Sequence, residues 1–460
     1  MQEGKTNQTG KRITSDLIRF VLDLSAEDLT ANVLHECTRA VVNTIGCMMA
    51  GAQHELTRIA TNALLEHSGT PVASLFGSTH KVDILTAALL NGTAGAAYSF
   101  DDTYADAMLH PSGPIVAALL ALAERSPMSG ETFITAFAAG LEVACRLTKA
   151  LTVPPAEVEI GWSQTGAVCG LATALAAGRV LGLDQAALEW ALSIAASEAA
   201  GTRASHGSMS ASLIFGHASQ TGLRAALLAA KGFSGASNPI EHRYGFASMF
   251  AHRADLDAAI DKLGDEYELL NITYKPFPCG LVLHPAIDGI LQLKAQEQFE
   301  VDQIKKIKVV VSTAAANFGL NPEPKDDLAA KVSLHHWVAV AIYTGRAGIA
   351  EGRIGWVKNP EIQEIRARIE VDVDPSFDND AVSVEIIMAS EVTYRLNLIH
   401  CIGSTLNPMS DEKLNVKCIE QAELLLEPEK AKQLAQMCWG IGSLTDLSAL
   451  PHLTRPATSI

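Results

Sequence analysis

The sequence predicts a mainly α protein: a large all-α helical bundle built from both ends of the chain, with a smaller α+β domain between them. Three observations lead there. Residues from Val82 to about Ala230 read almost without interruption as Ala- and Leu-rich helix. Hydrophobic residues make up 48% of the chain and aromatics only 5%, and small apolar side chains let helix axes approach closely. The texture then changes near residue 270, where Tyr274 to Gly280 is a proline-punctuated segment followed by strand-like runs. Helices return past Cys401, and two short helices there must rejoin the bundle, because they cannot stabilise themselves. The expected division is 1–270 with 403–460 for the helical domain and 271–402 for the α+β domain.

In chain order, residues 1–14 read as a loose tail, and Ser15 starts a short amphipathic helix with Leu17, Phe20, Val21 and Leu24 on one side. Ser25 and Asp28 resemble a capping box for the helix carrying Leu29, Val33, Cys37, Val41, Ile45 and Met48. Another helix runs from about Glu55 to His67, closed by Gly69. Val72 to Gly77 is a strand or a connector. Past residue 280 the pattern gives a helix over Pro285 to Gln296, a strand over Ile304 to Ser312 and a helix over Ala330 to Thr344. Ile365 to Val373 alternates as a strand, and more strand follows over Ala381 to Leu398. The last helices are Asp411 to Leu426 and Pro428 to Met437.

A net charge of −16 disfavours non-specific binding to nucleic acid or anionic membrane. An anionic small substrate then needs a local cluster of cations. The eight cysteines are scattered without a C-x-x-C pair, which reads as buried free thiols in a reducing compartment. The polar N-terminus has no apolar h-region and no apolar run is long enough to span a bilayer, so a cytoplasmic protein is expected. No dinucleotide fingerprint, P-loop, nucleophile elbow or H-E-x-x-H motif is present. His335 and His336 read as core or surface histidines, not metal ligands. What remains is a cofactor-free, metal-free inventory of acids, histidines, a lysine and a cysteine, suited to proton transfer at a carbon beside a carbonyl or carboxylate.

That chemistry concentrates between Ser99 and Gly113. Asp101, Asp102, Asp106 and His110 fall within ten residues, before a helix beginning at Pro114. The acids are expected to end one helical segment, with His110 just before the next. Read physically, they serve either a cleft or merely a capped, solvated loop.

Asn91 to Thr93, Phe100 to Thr103 and His110 to Gly113 resemble the signature of the MmgE/PrpD family. Glu241 with Arg243 to Phe246, Tyr274 to Cys279, His284 to Asp288 and Ala330 to Ser333 match in the family's order. The family includes 2-methylcitrate dehydratase, cis-aconitate decarboxylase and iminodisuccinate epimerase. The resemblance implies that the α+β domain is a lid, that the site lies in the cleft between domains, and that the chain forms a homodimer. Asp101, Asp102, Thr103, His110 and Lys275 match active-site positions of the family's motifs.

The departures are informative. Many members carry Asp where this chain has Ser99, and His where it has Ser163. The Lys-Pro-Leu-His motif of dehydratase and decarboxylase members becomes Ala211 to Ile214, and a histidine near Gly280 is absent. These losses point away from dehydration, which needs both a base and an acid, and towards moving a single proton. The expected function is a cofactor-free isomerase, most like iminodisuccinate epimerase, acting at the α-carbon of an imino- or amino-dicarboxylate. The alternatives are a 2-methylcitrate-like dehydratase or related lyase on a tricarboxylate, and a non-catalytic carboxylate-binding member. His110 is the expected base, Lys275 an electrostatic clamp and Asp102 a further catalytic group. Asp101, Thr103, Ser163, Arg203, His206 and Arg243 are expected at the substrate, the arginines as carboxylate forks; helix-end salt bridges for Arg203, His206 and Arg243, and a cap of the following helix for Ser163, are the alternatives. Cys279, four residues from Lys275, is either a turn residue of its proline-rich segment or an opposite-face group whose thiol a nearby ammonium activates.

Overall fold

The computed structural model describes residues 12–152, 160–251 and 253–457; residues 1–11 of the expected tail lie outside them. The chain opens with α1 (Ile13–Asp23), α2 (Ala31–Gly51) and α3 (Glu55–Leu64). Ile13 and Thr14 are therefore helix, and both are buried. Thr14 donates to Glu241 through its hydroxyl (2.5 Å). The Ser25–Asp28 pair closes a turn, with Asp28 accepting from the Ser25 amide at 2.8 Å. The cap of α2 is instead Thr30, which accepts from the Val33 amide.

A small antiparallel pair, β1 (Ala73–Ser74) with β2 (Lys81–Val82), leads into α4 (Ile84–Gly95). Asp83 caps α4 by accepting from the amides of Leu85 and Thr86. The stretch read from sequence as a helix break then holds a strand, β3 (Asp102–Tyr104). After it come α5 (Ser112–Arg125), α6 (Gly130–Thr152), α7 (Gln164–Val180), α8 (Gln185–Ser197), α9 (Met209–Ala229) and the short α10 (Phe246–Phe250). Small residues bring these helices together. A Cβ on Gly216 of α9 would lie 2.0 Å from the Leu89 carbonyl of α4, and one on Gly222 would lie 2.5 Å from the Gly170 carbonyl of α7. Close approach there requires glycine.

β4 (Ile272–Tyr274) pairs antiparallel with β3, Asp102 opposite Tyr274 and Tyr104 opposite Ile272. α11 (His284–Gln296) follows, then β5 (Ile304–Val311), α12 (Thr313–Gly319), α13 (Asp327–Ala330), α14 (Leu334–Thr344), α15 (Ile354–Val357) and α16 (Pro360–Arg366). Ile365 thus ends a helix and does not start a strand. Asn359 caps that helix with Pro360 at its first position, and this start signal overrides the alternating pattern. β6 (Ile369–Val373), β7 (Val382–Met388) and β8 (Thr393–Leu398) complete a sheet of order β6-β5-β7-β8, parallel only between β5 and β6. Every second residue of β7 is buried, as expected for a sheet with one covered face. α17 (Asp411–Ala422), α18 (Pro428–Trp439) and α19 (Ala449–Leu453) close the chain.

Two apolar cores result. One runs from Ile13 to Tyr274 and takes in Met409, Leu414, Cys418, Leu434 and Leu450 from the C-terminal helices. The other spans Phe277 to Met388. β4 belongs with the first core, so Lys275 stands at the join. All eight cysteines are buried and unpaired. No helix among the described residues is long and apolar enough to cross a membrane.

Candidate functional site

Pairing of β3 with β4 brings two distant segments together. Asp101 directly precedes β3 and Asp102 opens it, and Lys275 leaves the end of β4. Ser99 precedes them with φ of 51°, a left-handed conformation unusual for serine. Its carbonyl accepts from Lys275 Nζ at 3.2 Å. Asp101 lies between lysine and histidine, with Oδ1 3.6 Å from Lys275 Nζ and Oδ2 3.4 Å from His110 Nδ1. Lys275 and Asp101 are buried, whereas the His110 side chain keeps 26% of its surface exposed.

His110 Nδ1 lies 2.8 Å from the Asp102 carbonyl and 3.2 Å from Thr103 Oγ1. A carbonyl only accepts, so Nδ1 carries the hydrogen and Nε2 the lone pair. Burial lowers the His110 pKa to about 4; Asp101 opposes this, while Lys275 and His206 reinforce it. The ring packs on Phe215 of α9, centroids 5.6 Å apart, and its backbone amide donates to Thr165 Oγ1 at 3.0 Å. Asp102 accepts from Ser112 Oγ at 2.5 Å. Burial, aided by the Asp101 charge, pushes its carboxyl up to about 7. The assembly is a neutral imidazole base with an oriented tautomer, beside a buried lysine and two acids. That suits removing or returning a proton next to a group whose negative charge grows.

The other candidates divide. Ser163 caps α7 by accepting from the Gly166 amide at 3.2 Å, and Thr165 fixes the His110 backbone. Arg203 donates to the Ile160 carbonyl at 3.4 Å, beside His206. His206 is largely exposed but close enough for its charge to act on His110. Arg243 is exposed and stacks on Tyr244, with its guanidinium carbon 4.4 Å from the ring centre; the structure does not bring it to His110. For Cys279, burial speaks against the activated-thiol reading. Its thiol is fully buried, and desolvation outweighs the Lys275 ammonium, raising the pKa well above the usual thiol value.

Two lysines were not singled out from the sequence, although one of them, Lys331, lies within the matched segment 330–333. Lys331, just after α13, donates to the Ala97 carbonyl and lies 5.8 Å from the Tyr98 ring centre. Burial brings its pKa down to about 8. Lys417, on α17, donates to the carbonyls of Phe100 (2.7 Å) and Lys275 (2.9 Å). A signal for it existed: Leu414, Cys418 and Gln421 mark the buried side of α17, and helical spacing puts residue 417 on that side.

Two family models match the chain, the MmgE/PrpD N-terminal domain over residues 15–259 and the MmgE/PrpD C-terminal domain over residues 277–441. Cis-aconitate decarboxylase from Homo sapiens is 25% identical over 462 residues, covering 97% of this chain and 95% of that protein. The Aspergillus terreus protein of the same name is 24% identical over 472 residues, covering 96% and 95%. Cis-aconitate decarboxylase-like protein oryM of Aspergillus oryzae is 28% identical over 364 residues, covering 74% of each.

Proposed function

Because the chain belongs to the MmgE/PrpD family, we propose that it is a cofactor-independent lyase acting on a tricarboxylate of the cis-aconitate or 2-methylcitrate type. The observation that carries this is the His110 tautomer: Nδ1–H is committed to the Asp102 carbonyl, leaving Nε2 to move a proton at a carbon beside a carboxylate. Lys275, held by Asp101 and the Ser99 carbonyl, stabilises the charge that develops on that carboxylate. The decarboxylase names of the relatives support the tricarboxylate class. We assign the α+β domain, expected over 271–402 but with β4 joined to the helical core, as a lid over this site and the working unit as a homodimer.

A second reading is epimerisation of an imino- or amino-dicarboxylate of the iminodisuccinate type. It is favoured by the lowered pKa of His110 and by Ser163, which serves as a helix cap where many relatives carry histidine. A neutral base can take and return one proton without an acid for a leaving group. One experiment separates the readings. The protein is incubated in heavy water with cis-aconitate, citrate, 2-methylcitrate and substituted succinates, and products are followed by NMR. Release of carbon dioxide or water is expected. Deuterium at Cα with inversion and no unsaturated product replaces the lyase by the epimerase. No exchange with any compound leaves a binding protein.

A further inference from the structure

Lys417 comes from the C-terminal helix α17, far in sequence from every other residue of the site. Its ammonium is fully buried and spends all three hydrogens on neutral acceptors: Asn43 Oδ1 (2.7 Å), the Phe100 carbonyl (2.7 Å) and the Lys275 carbonyl (2.9 Å). It also sits 3.8 Å from the centre of the Phe100 ring. None of these acceptors is a carboxylate; Asp101 and Asp102 act on the ammonium only through space and favour its charged form, whereas the Lys275 ammonium opposes it. Cys47 Sγ donates to the same Phe100 carbonyl at 3.2 Å.

The two peptide carbonyls that it grips are the informative ones. Phe100 directly precedes Asp101, and Lys275 is the clamp itself. One ammonium therefore ties the β3 entry to the β4 exit exactly where Asp101 must meet Lys275. We propose that Lys417 is a positioning residue for the reaction: it sets the spacing of Asp101 and Lys275 and supplies a second buried positive charge behind them. A merely structural lysine would contribute to stability only. Lys417 instead acts on turnover through the Asp101–Lys275 pair and, through that pair, on His110. This inference rests on the proton-transfer reading above.

The test uses the full chain with Lys417→Met and Lys417→Arg, checked for folding by circular dichroism and melting. With cis-aconitate as substrate, folded Lys417→Met should lose on the order of 100-fold in kcat, with KM moving far less. Lys417→Arg, which keeps the charge and donors, should recover part of that loss. Independently of any substrate, carbethoxylation of His110 by diethyl pyrocarbonate is followed against pH by peptide mass spectrometry. Asp101, Asp102, Lys275 and His206 also bear on this group. Losing the Lys417 charge favours imidazolium, and proton uptake by the acids offsets only part of that, so the midpoint rises in Lys417→Met. Unchanged kcat in a folded variant overturns the proposal. If the wild type turns over no substrate, the function fails separately, and an unmoved His110 midpoint then overturns the Lys417 role as well.

Discussion

At the scale of single residues, opposite pKa shifts on neighbours separate two duties. His110 is held neutral to about pH 4, so the acid limb of kcat/KM should inflect near 4 and not near the ordinary histidine value. His110→Asn should cost about 10²- to 10⁴-fold in kcat/KM, and full activity in that variant would remove the base assignment. Asp102 has a raised folded pKa, about 7 against 3.8. Its contribution to stability is complete below about 3.8 and is lost as pH climbs through about 7. Asp102→Asn, which still accepts from Ser112, should therefore gain on the wild type across that window, with an upper bound of about 4 kcal/mol. Melting curves at pH 4 and pH 8 check this: a constant difference between the two proteins refutes it.

At the scale of elements, the β3–β4 pair makes the site, and the join behind it is tight. Gly403 has φ of 85°, and a Cβ there would fall 2.6 Å from both Pro276 Cδ and the Tyr274 carbonyl. Gly403→Ala should destabilise by about 1–3 kcal/mol and reduce kcat by shifting the segment that carries Lys275. A variant melting with the wild type would contradict this. The helices of both ends and the strands near 304 and 382 were legible, because apolar spacing at 3.6 or 2 residues records which face is buried. β3 was not: three residues rich in Asp and Thr have no apolar alternation, and their strand form depends on β4, about 170 residues away. Helical spacing marked the buried side on which Lys417 lies, but its partners were hidden for the same reason: Asn43 and the carbonyls of Phe100 and Lys275 are all remote in sequence. Motif resemblance singled out His110 and Lys275, which the structure brings together, and also Arg243, which it leaves exposed against Tyr244 because a motif match does not say which surface a loop presents.

For the whole molecule, the charge of −16 opposes an anionic substrate at long range, while the buried lysines act only on arrival. Raising ionic strength from about 10 to 150 mM shortens the screening length from about 30 to 8 Å. kcat/KM should therefore rise with salt while kcat holds. A fall in kcat/KM would mean that a local cationic field governs capture. The join of three remote segments also bears on biosynthesis. A growing polypeptide makes the His110 segment first, Lys275 next and Lys417 last of the three. Domains ordinarily fold from the N-terminus as they leave the ribosome, yet here the last ammonium of the site arrives only when α17 docks against α2. Nascent chains that have not yet made α17 would hold an incompletely braced acid–lysine pair.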